Sequence, residues 1–242
     1  MAKIALITGA SRGVGKAVAL RLARDGFDVA VNYAANAQAA EEVAAQIRLI
    51  GRQAVALPAD VSDPAQVAEL FANAERALGR IDVLVNNAGI MKLQMLAETD
   101  DAGFDDIVAV NLKGTFNTLR LAATHLNDAG RIVNFSTSAI GLALPGYTIY
   151  NAAKAGVEAL SRTFANELRG RNITVNCVAP GPTDTELFFH GKTAEQVERL
   201  RKLPPLERLA TPDDIAAVVA FLAGPDGGWI NGQVLRANGG LN

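Results

Sequence analysis

Tyr150 and Lys154 stand four residues apart in an alanine-rich run, a spacing that puts a phenol and an ammonium on one face of a helix. A free tyrosine has a pKa of about 10, too high for easy proton exchange near neutrality, and a neighbouring cation favours the phenolate. The pair could therefore release and recover a proton. Tyr-x-x-x-Lys also arises by chance in many helices, so its company decides its weight. Ser138 lies just beyond the fifth β-like run, at the end where ligands bind in parallel α/β sheets. Asn111 sits amid Ile107-Val108-Ala109-Val110 and Leu112, where a buried amide needs hydrogen-bond partners.

A second cluster could hold an anion. Thr8-Gly9-Ala10-Ser11-Arg12-Gly13-Val14-Gly15 follows the first apolar run and leads into a helix. Glycines there allow a tight turn and bring backbone N–H groups close to a diphosphate, while the helix N-terminus adds partial positive charge. The spacing is G-x-x-x-G-x-G rather than G-x-G-x-x-G, and a glycine triplet alone could be a plain flexible turn. The second strand ends Asn32-Tyr33-Ala34-Ala35-Asn36, with no carboxylate to bind a ribose 2′-hydroxyl. A 2′-phosphate would meet no repulsion, and Arg12 could pair with it bidentately unless it is only a solvated arginine. NADP(H) is thereby favoured over NAD(H).

Positioning these residues requires repeated βα units. Short β-branched runs at Lys3–Thr8, Asp28–Tyr33, Gln53–Pro58, Asp82–Asn86, Gly130–Ser136, Thr174–Ala179 and Gln233–Ala237 read as strands. Helical periods fall at Gly13–Asp25, Ala37–Gly51, Pro64–Leu78, Asp101–His125, Tyr147–Arg169 and Pro212–Ala223, with a shorter one at Thr193–Lys202. Ser62-Asp63-Pro64 and Thr211-Pro212 are helix-start signals. The pattern predicts one α/β domain over residues 1–242, a doubly wound seven-stranded parallel sheet with helices on both faces. Residues 182–210 form a long interval suited to a substrate lid.

The chain has 242 residues, half of them hydrophobic, with a net charge of −2, which offers no broad attraction to nucleic acid or anionic lipid. No apolar run approaches the roughly 18 to 20 residues of a membrane span, and no secretory leader is evident, so cytoplasmic is the default expectation. Cys177 is the one cysteine, so no intrachain disulfide or cysteine metal cluster can form, and it reads as a core residue. His125 and His190 make no H-x-x-x-H pair, and no metal site is expected. Met91 to Leu96 and Leu187-Phe188-Phe189-His190 could line an adaptable apolar pocket, or equally bury against the domain or a neighbouring subunit.

Taken in order, the glycine turn, Asn86-Asn87-Ala88-Gly89, Asn111, Ser138, Tyr150-Asn151-Ala152-Ala153-Lys154 and Pro180-Gly181 resemble the short-chain dehydrogenase/reductase family over essentially the whole chain. Within it, Asn32-Tyr33-Ala34, Asn176 to Gly181 and the ending Ala237-Asn238-Gly239-Gly240 are most similar to 3-oxoacyl-acyl-carrier-protein reductases. The resemblance implies a Rossmann-type fold and hydride exchange between NADP(H) and a carbonyl/alcohol pair. Tyr150 would be the proton donor, Lys154 would lower its pKa and bind the nicotinamide ribose, Ser138 would hydrogen-bond the substrate oxygen, and Asn111 would hold a water linking Lys154 to solvent. It further implies cofactor contacts at Gly9, Ser11, Arg12, Gly13, Val14, Gly15, Asn32, Tyr33, Ala34, Asp60, Val61, Asn87, Ala88, Gly89, Pro180, Gly181 and Thr183, with Asp60 equally readable as a turn residue.

Ser138 is chosen because Gly141 follows it by three, although the run from Ser138 to Tyr150 is one residue short of the family spacing; Ser136 is the fallback. The small-residue helices Asp101–His125 and Tyr147–Arg169 imply, by the same resemblance, a homotetramer. Substrates compatible with the motifs are 3-oxoacyl thioesters or a sugar, steroid or small xenobiotic ketone. A non-catalytic NADP(H) sensor is the alternative of another class, disfavoured by an intact proton relay.

Overall fold

Alternate residues of each strand face opposite sides of the sheet, and here both sides are apolar, as a parallel sheet covered by helices requires. The computed structural model describes residues 2–242. Strands β1 (Ile4–Ile7), β2 (Asp28–Tyr33), β3 (Ala54–Pro58), β4 (Val83–Asn86), β5 (Arg131–Phe135), β6 (Thr174–Pro180) and β7 (Val234–Ala237) form one sheet in the order β3-β2-β1-β4-β5-β6-β7. Every neighbouring pair is parallel. The helices are α1 (Gly13–Arg24), α2 (Ala37–Leu49), α3 (Pro64–Leu78), α4 (Asp101–Val108), α5 (Gly114–His125), α6 (Ala139–Leu142), α7 (Thr148–Glu167), α8 (Glu186–Phe189), α9 (Ala194–Lys202) and α10 (Pro212–Ala223).

Ile7, Val31, Val85 and Val133 point into one layer with Val18 and Leu22 of α1, Ile47 of α2 and Ile215 and Val219 of α10. Their neighbours Leu6, Ala30, Leu84 and Ile132 point the other way, onto Leu70 and Phe71 of α3 and Leu119 of α5. Asp63 caps α3 by accepting the Ala65 N–H at 2.8 Å, with Pro64 in the first turn.

The helix expected over Asp101–His125 contains an irregularity. Residues Ala109–Lys113 form a π-helical turn between α4 and α5. The widened turn carries Asn111 with its amide directed inward, onto the Ile90 backbone. The four-residue helices α6 and α8 are too short to show a period in sequence.

Candidate active site

Strand order reverses between β1 and β4, which opens a crevice beyond their carboxyl ends. The glycine turn occupies it. Gly9 and Gly13 have φ of +62° and +54°, a region that favours residues without a Cβ. Thr8 Oγ1 accepts the N–H groups of Asn87 and Ala88, both at 3.1 Å, and Asn87 Nδ2 donates to the carbonyls of Thr8 (2.9 Å) and Gly9 (3.0 Å). The packing is close enough that a Cβ on Gly15 would lie 2.5 Å from Asn87 Nδ2 and collide with the Gly9 carbonyl. No side chain caps α1, whose first helical bond is Lys16 N–H to Arg12 O. The N–H groups of its first turn thus fit a diphosphate, and the turn brings Gly9, Ser11, Gly13, Val14 and Gly15 together with the Asn87-Ala88-Gly89 segment.

Several of the expected contact residues are tied to the protein. Asn32 is 1 % exposed; its Oδ1 accepts the Gly9 N–H at 3.1 Å, and its Nδ2 donates to Leu57 O (3.2 Å) and Ala59 O (3.1 Å). Its amide has no polar atom left for a cofactor, so it is a strut under the turn. Val61 is buried, with Gly114 packed against its side chain. Asp60 Oδ1 accepts the N–H (2.9 Å) and hydroxyl (2.8 Å) of Ser62, the turn role foreseen as its alternative. Thr183 is buried and donates to Gly181 O at 2.9 Å. Tyr33 is half-buried against the core and Ala34 is exposed at the end of β2.

Gly181 lies against the C-terminal segment, where a Cβ would come within 2.8 Å of Asn238 Cα, and Pro180 immediately precedes it at the end of β6. Arg12 pairs with Glu186 of α8 at 2.8 Å, with both side chains over 70 % exposed (75 % and 78 %). An exposed pair of this kind is worth little, so the guanidinium can exchange partners.

Lys154 and Asn111 approach each other beyond β4 and β5, with Tyr150 one turn before Lys154 on α7. Lys154 Nζ, buried, donates to Phe135 O at 2.8 Å. A Cβ on Gly89 would stand 3.6 Å from that Nζ and 2.8 Å from Asn111 Oδ1, so Gly89 is the narrow partition between lysine and asparagine. Asn111 is fully buried: Oδ1 accepts the Ile90 N–H (3.1 Å) and Nδ2 donates to Ile90 O (2.9 Å).

Burial pushes the Tyr150 phenol up to about 12 against the partial relief of a hydrogen bond from Thr137, and pushes the Lys154 ammonium down to about 8. No cation is among the groups that shift the phenol, and the Lys154 ammonium hydrogen-bonds the Phe135 carbonyl.

Ser138 is 2 % exposed; its hydroxyl donates to Ala179 O at 3.0 Å and accepts from Asn238 Nδ2 at 3.0 Å, while its carbonyl receives Asn242 Nδ2 at 2.9 Å. The residue anchors the C-terminal segment to β6. Beside the phenol stands Thr137, which the sequence reading passed over; the one-residue shortfall between Ser138 and Tyr150 was the signal.

Comparison with known proteins fits this geometry. Residues 9–242 match the family model described as enoyl-(acyl carrier protein) reductase. A short-chain type dehydrogenase/reductase of Picea abies is 46 % identical, over 98 % of this chain and 92 % of its own. The chain belongs to the short-chain dehydrogenase/reductase family. It is accordingly an oxidoreductase. Another member, an NADPH-dependent aldehyde reductase-like chloroplastic protein of Arabidopsis thaliana, is 40 % identical over 98 % of this chain and 93 % of its own. A short chain dehydrogenase from Burkholderia cenocepacia, solved in complex with NADP, superposes with a TM-score of 0.94 at 38 % identity, covering 99 % of this chain and 98 % of that one.

After β6 the chain makes a long excursion over residues 182–210 that is closed at its base. Ala210 N–H donates to Pro182 O and Asp184 N–H to Ala210 O, both at 2.8 Å. The excursion holds α8 and α9, and exposes Leu187 and Phe189; Leu93, Met95 and Leu96 are exposed on the segment after β4. Cys177 is fully buried beside Ser161 Oγ at 3.0 Å, a core residue. Among the described residues no group of three or more His, Cys, Asp or Glu could hold a metal, and no helix is long and apolar enough to cross a membrane.

Proposed function

We propose that this enzyme reduces an aldehyde or ketone with NADPH, and runs the reverse oxidation when alcohol and NADP accumulate. The observation that carries the reading is a buried ammonium and a half-buried phenol on α7 next to the crevice that holds an uncapped, glycine-lined helix N-terminus. When bound, the nicotinamide supplies the hydride that goes to the carbonyl carbon.

Tyr150 delivers the proton to the carbonyl oxygen. Its raised pKa keeps the phenol protonated at neutral pH, the form a general acid needs in reduction. Lys154 binds ribose hydroxyls and, on losing Phe135 O as its acceptor, stabilises the tyrosinate left behind. Asn111, one Gly89 away, holds the Ile90 backbone so that a proton path from Lys154 to solvent stays open. The N–H groups of Gly13, Val14 and Gly15 hold the diphosphate, and Arg12 leaves Glu186 for the 2′-phosphate. The NADPH dependence of the Arabidopsis relative and the NADP of the Burkholderia structure support the cofactor assignment.

Residues 182–210 act as the substrate lid. Its exposed Leu187 and Phe189, with the exposed Leu93, Met95 and Leu96, suit an apolar carbonyl compound, with a 3-oxoacyl thioester as the narrower reading. The test is a panel of apolar aldehydes, ketones and 3-oxoacyl thioesters with NADPH and NADH. Turnover should favour NADPH, the preference should shrink in Arg12→Ala, and Tyr150→Phe should bind NADPH normally while losing about 10²–10⁴-fold in kcat. NADPH binding without turnover of any panel member would favour the sensing alternative. A preference for NADH would overturn the cofactor assignment.

A further inference from the structure

We propose that Tyr147 is a specificity-determining residue whose ring forms the wall beside Tyr150 and selects compounds in which the carbonyl is attached to a flat aromatic ring. The proposal deepens the carbonyl-reductase reading and rests on it.

Tyr147 stands at the N-cap of α7, close to one helical turn before Tyr150. The two rings meet edge to face, with centroids 6.3 Å apart and an interplanar angle of 73°. Aromatic quadrupoles favour that arrangement. The phenols also lie within electrostatic reach of one another, since negative charge on Tyr147 would hold the Tyr150 proton more tightly. Tyr147 differs from the polar residues around the crevice in having no structural tie. Asn87, Asn111 and Ser138 are each bonded to backbone carbonyls, whereas burial alone pushes the Tyr147 phenol up, with no hydrogen bond to lower it. Its side chain does not cap α7 either, and it is half-buried. What the position supplies is a ring rather than a hydrogen bond.

The backbone that carries this ring is fixed on both sides. Tyr147 O accepts the Asn151 N–H at 2.8 Å, and Gly146 O, at a residue with φ +83°, accepts the Gln94 N–H at 3.1 Å. The second bond joins the Tyr147 loop to the segment after β4, where Met95, next to Gln94, is 52 % exposed. A carbonyl oxygen that takes the Tyr150 proton lies within about 3 Å of the phenol oxygen, so the group attached to that carbonyl lies beside the Tyr147 ring. An aromatic group there adds an edge or face contact to the ring, and a thioether such as Met95 also favours aromatic neighbours. A saturated ring of the same carbon count gains burial alone. The selection is by aromatic character and not by size.

The test measures kcat/KM with NADPH for two matched pairs, benzaldehyde with cyclohexanecarbaldehyde and acetophenone with cyclohexyl methyl ketone, in wild type, Tyr147→Phe and Tyr147→Leu. Dividing the aryl by the saturated value in each protein, and then comparing proteins, cancels the intrinsic reactivity of the compounds. Tyr147→Leu should lower that ratio about 3- to 10-fold, the worth of one aromatic pair, while Tyr147→Phe keeps it and NADPH Kd is unchanged in both. An active wild type whose ratio is the same in Tyr147→Leu, because both members of a pair lose equally or neither loses, overturns the assignment alone. So does a ratio that falls as far in Tyr147→Phe as in Tyr147→Leu. A wild type inert towards both aryl compounds but active on other members of the panel overturns the substrate class. A wild type inert towards every carbonyl compound offered overturns the reductase reading and this proposal with it.

Discussion

At Lys154 the cost of burial exceeds the gain from its one carbonyl partner, and a pH window follows. The ammonium titrates near 8 in the fold against an ordinary value of 10.5, because burial disfavours the charged form. Below about pH 8 the lysine is charged in both folded and unfolded chains, and the fold carries the full burden, on the order of 3 kcal/mol. Between 8 and 10.5 the unfolded chain holds more protons, so this contribution to stability rises with pH. Wild type should therefore gain about 2 kcal/mol over Lys154→Met between pH 7 and pH 10, read by urea unfolding at each pH. A difference that does not move with pH would show that the ammonium is hydrated in the fold. Above pH 10 the Tyr150 phenol, raised to about 12, acts in the opposite sense: the fold retains a proton the unfolded chain has lost, and stability falls as pH rises.

Elements matter here through their register. A buried polar chain fixes α5 and α7 on the sheet: Thr118 Oγ1 donates to Asn86 Oδ1 (2.7 Å), Asn86 Nδ2 to Asn134 Oδ1 (2.8 Å) and Asn134 Nδ2 to Ser161 Oγ (2.7 Å). Ser161 lies two turns along α7 from Lys154, so the chain sets the height of the lysine above Phe135. The turn before α1 is held as tightly. Gly15→Ala places a methyl against Asn87 Nδ2 and the Gly9 carbonyl, neither of which is a free end that can swing away. Overpacking of this kind costs about 1–3 kcal/mol and displaces the turn, so Tm should fall and NADPH affinity should drop at least tenfold. Fluorescence titration and thermal melts check this; unchanged affinity would mean that the turn does not hold the diphosphate.

For the whole molecule, one sheet with a single order reversal leaves a crevice at the glycine turn. The apolar residues left outside belong elsewhere. Phe104 of α4 and Phe116 of α5 are 45 % and 43 % exposed, on the helices for which the family resemblance implies contact with another subunit. Light scattering should give the mass of a homotetramer, and Phe116→Asp should lower it. A single-chain mass for wild type at micromolar concentration would count against the assembly.

Period and punctuation in the amino-acid sequence were enough for seven strands, the main helices, the glycine turn and the Tyr150–Lys154 pair, because each depends on neighbours within a few residues. The π-turn at Asn111 was hidden, since the partner of its amide is the Ile90 backbone 21 residues away. The support Asn32 gives the glycine turn was hidden for the same kind of reason: its partners lie on that turn and beyond β3. Where Ser136 and Ser138 send their hydroxyl hydrogens was likewise beyond local reading. They go to Glu158 and Ala179, residues 22 and 41 positions away, because a hydroxyl gives its one hydrogen to whichever acceptor the fold brings nearest.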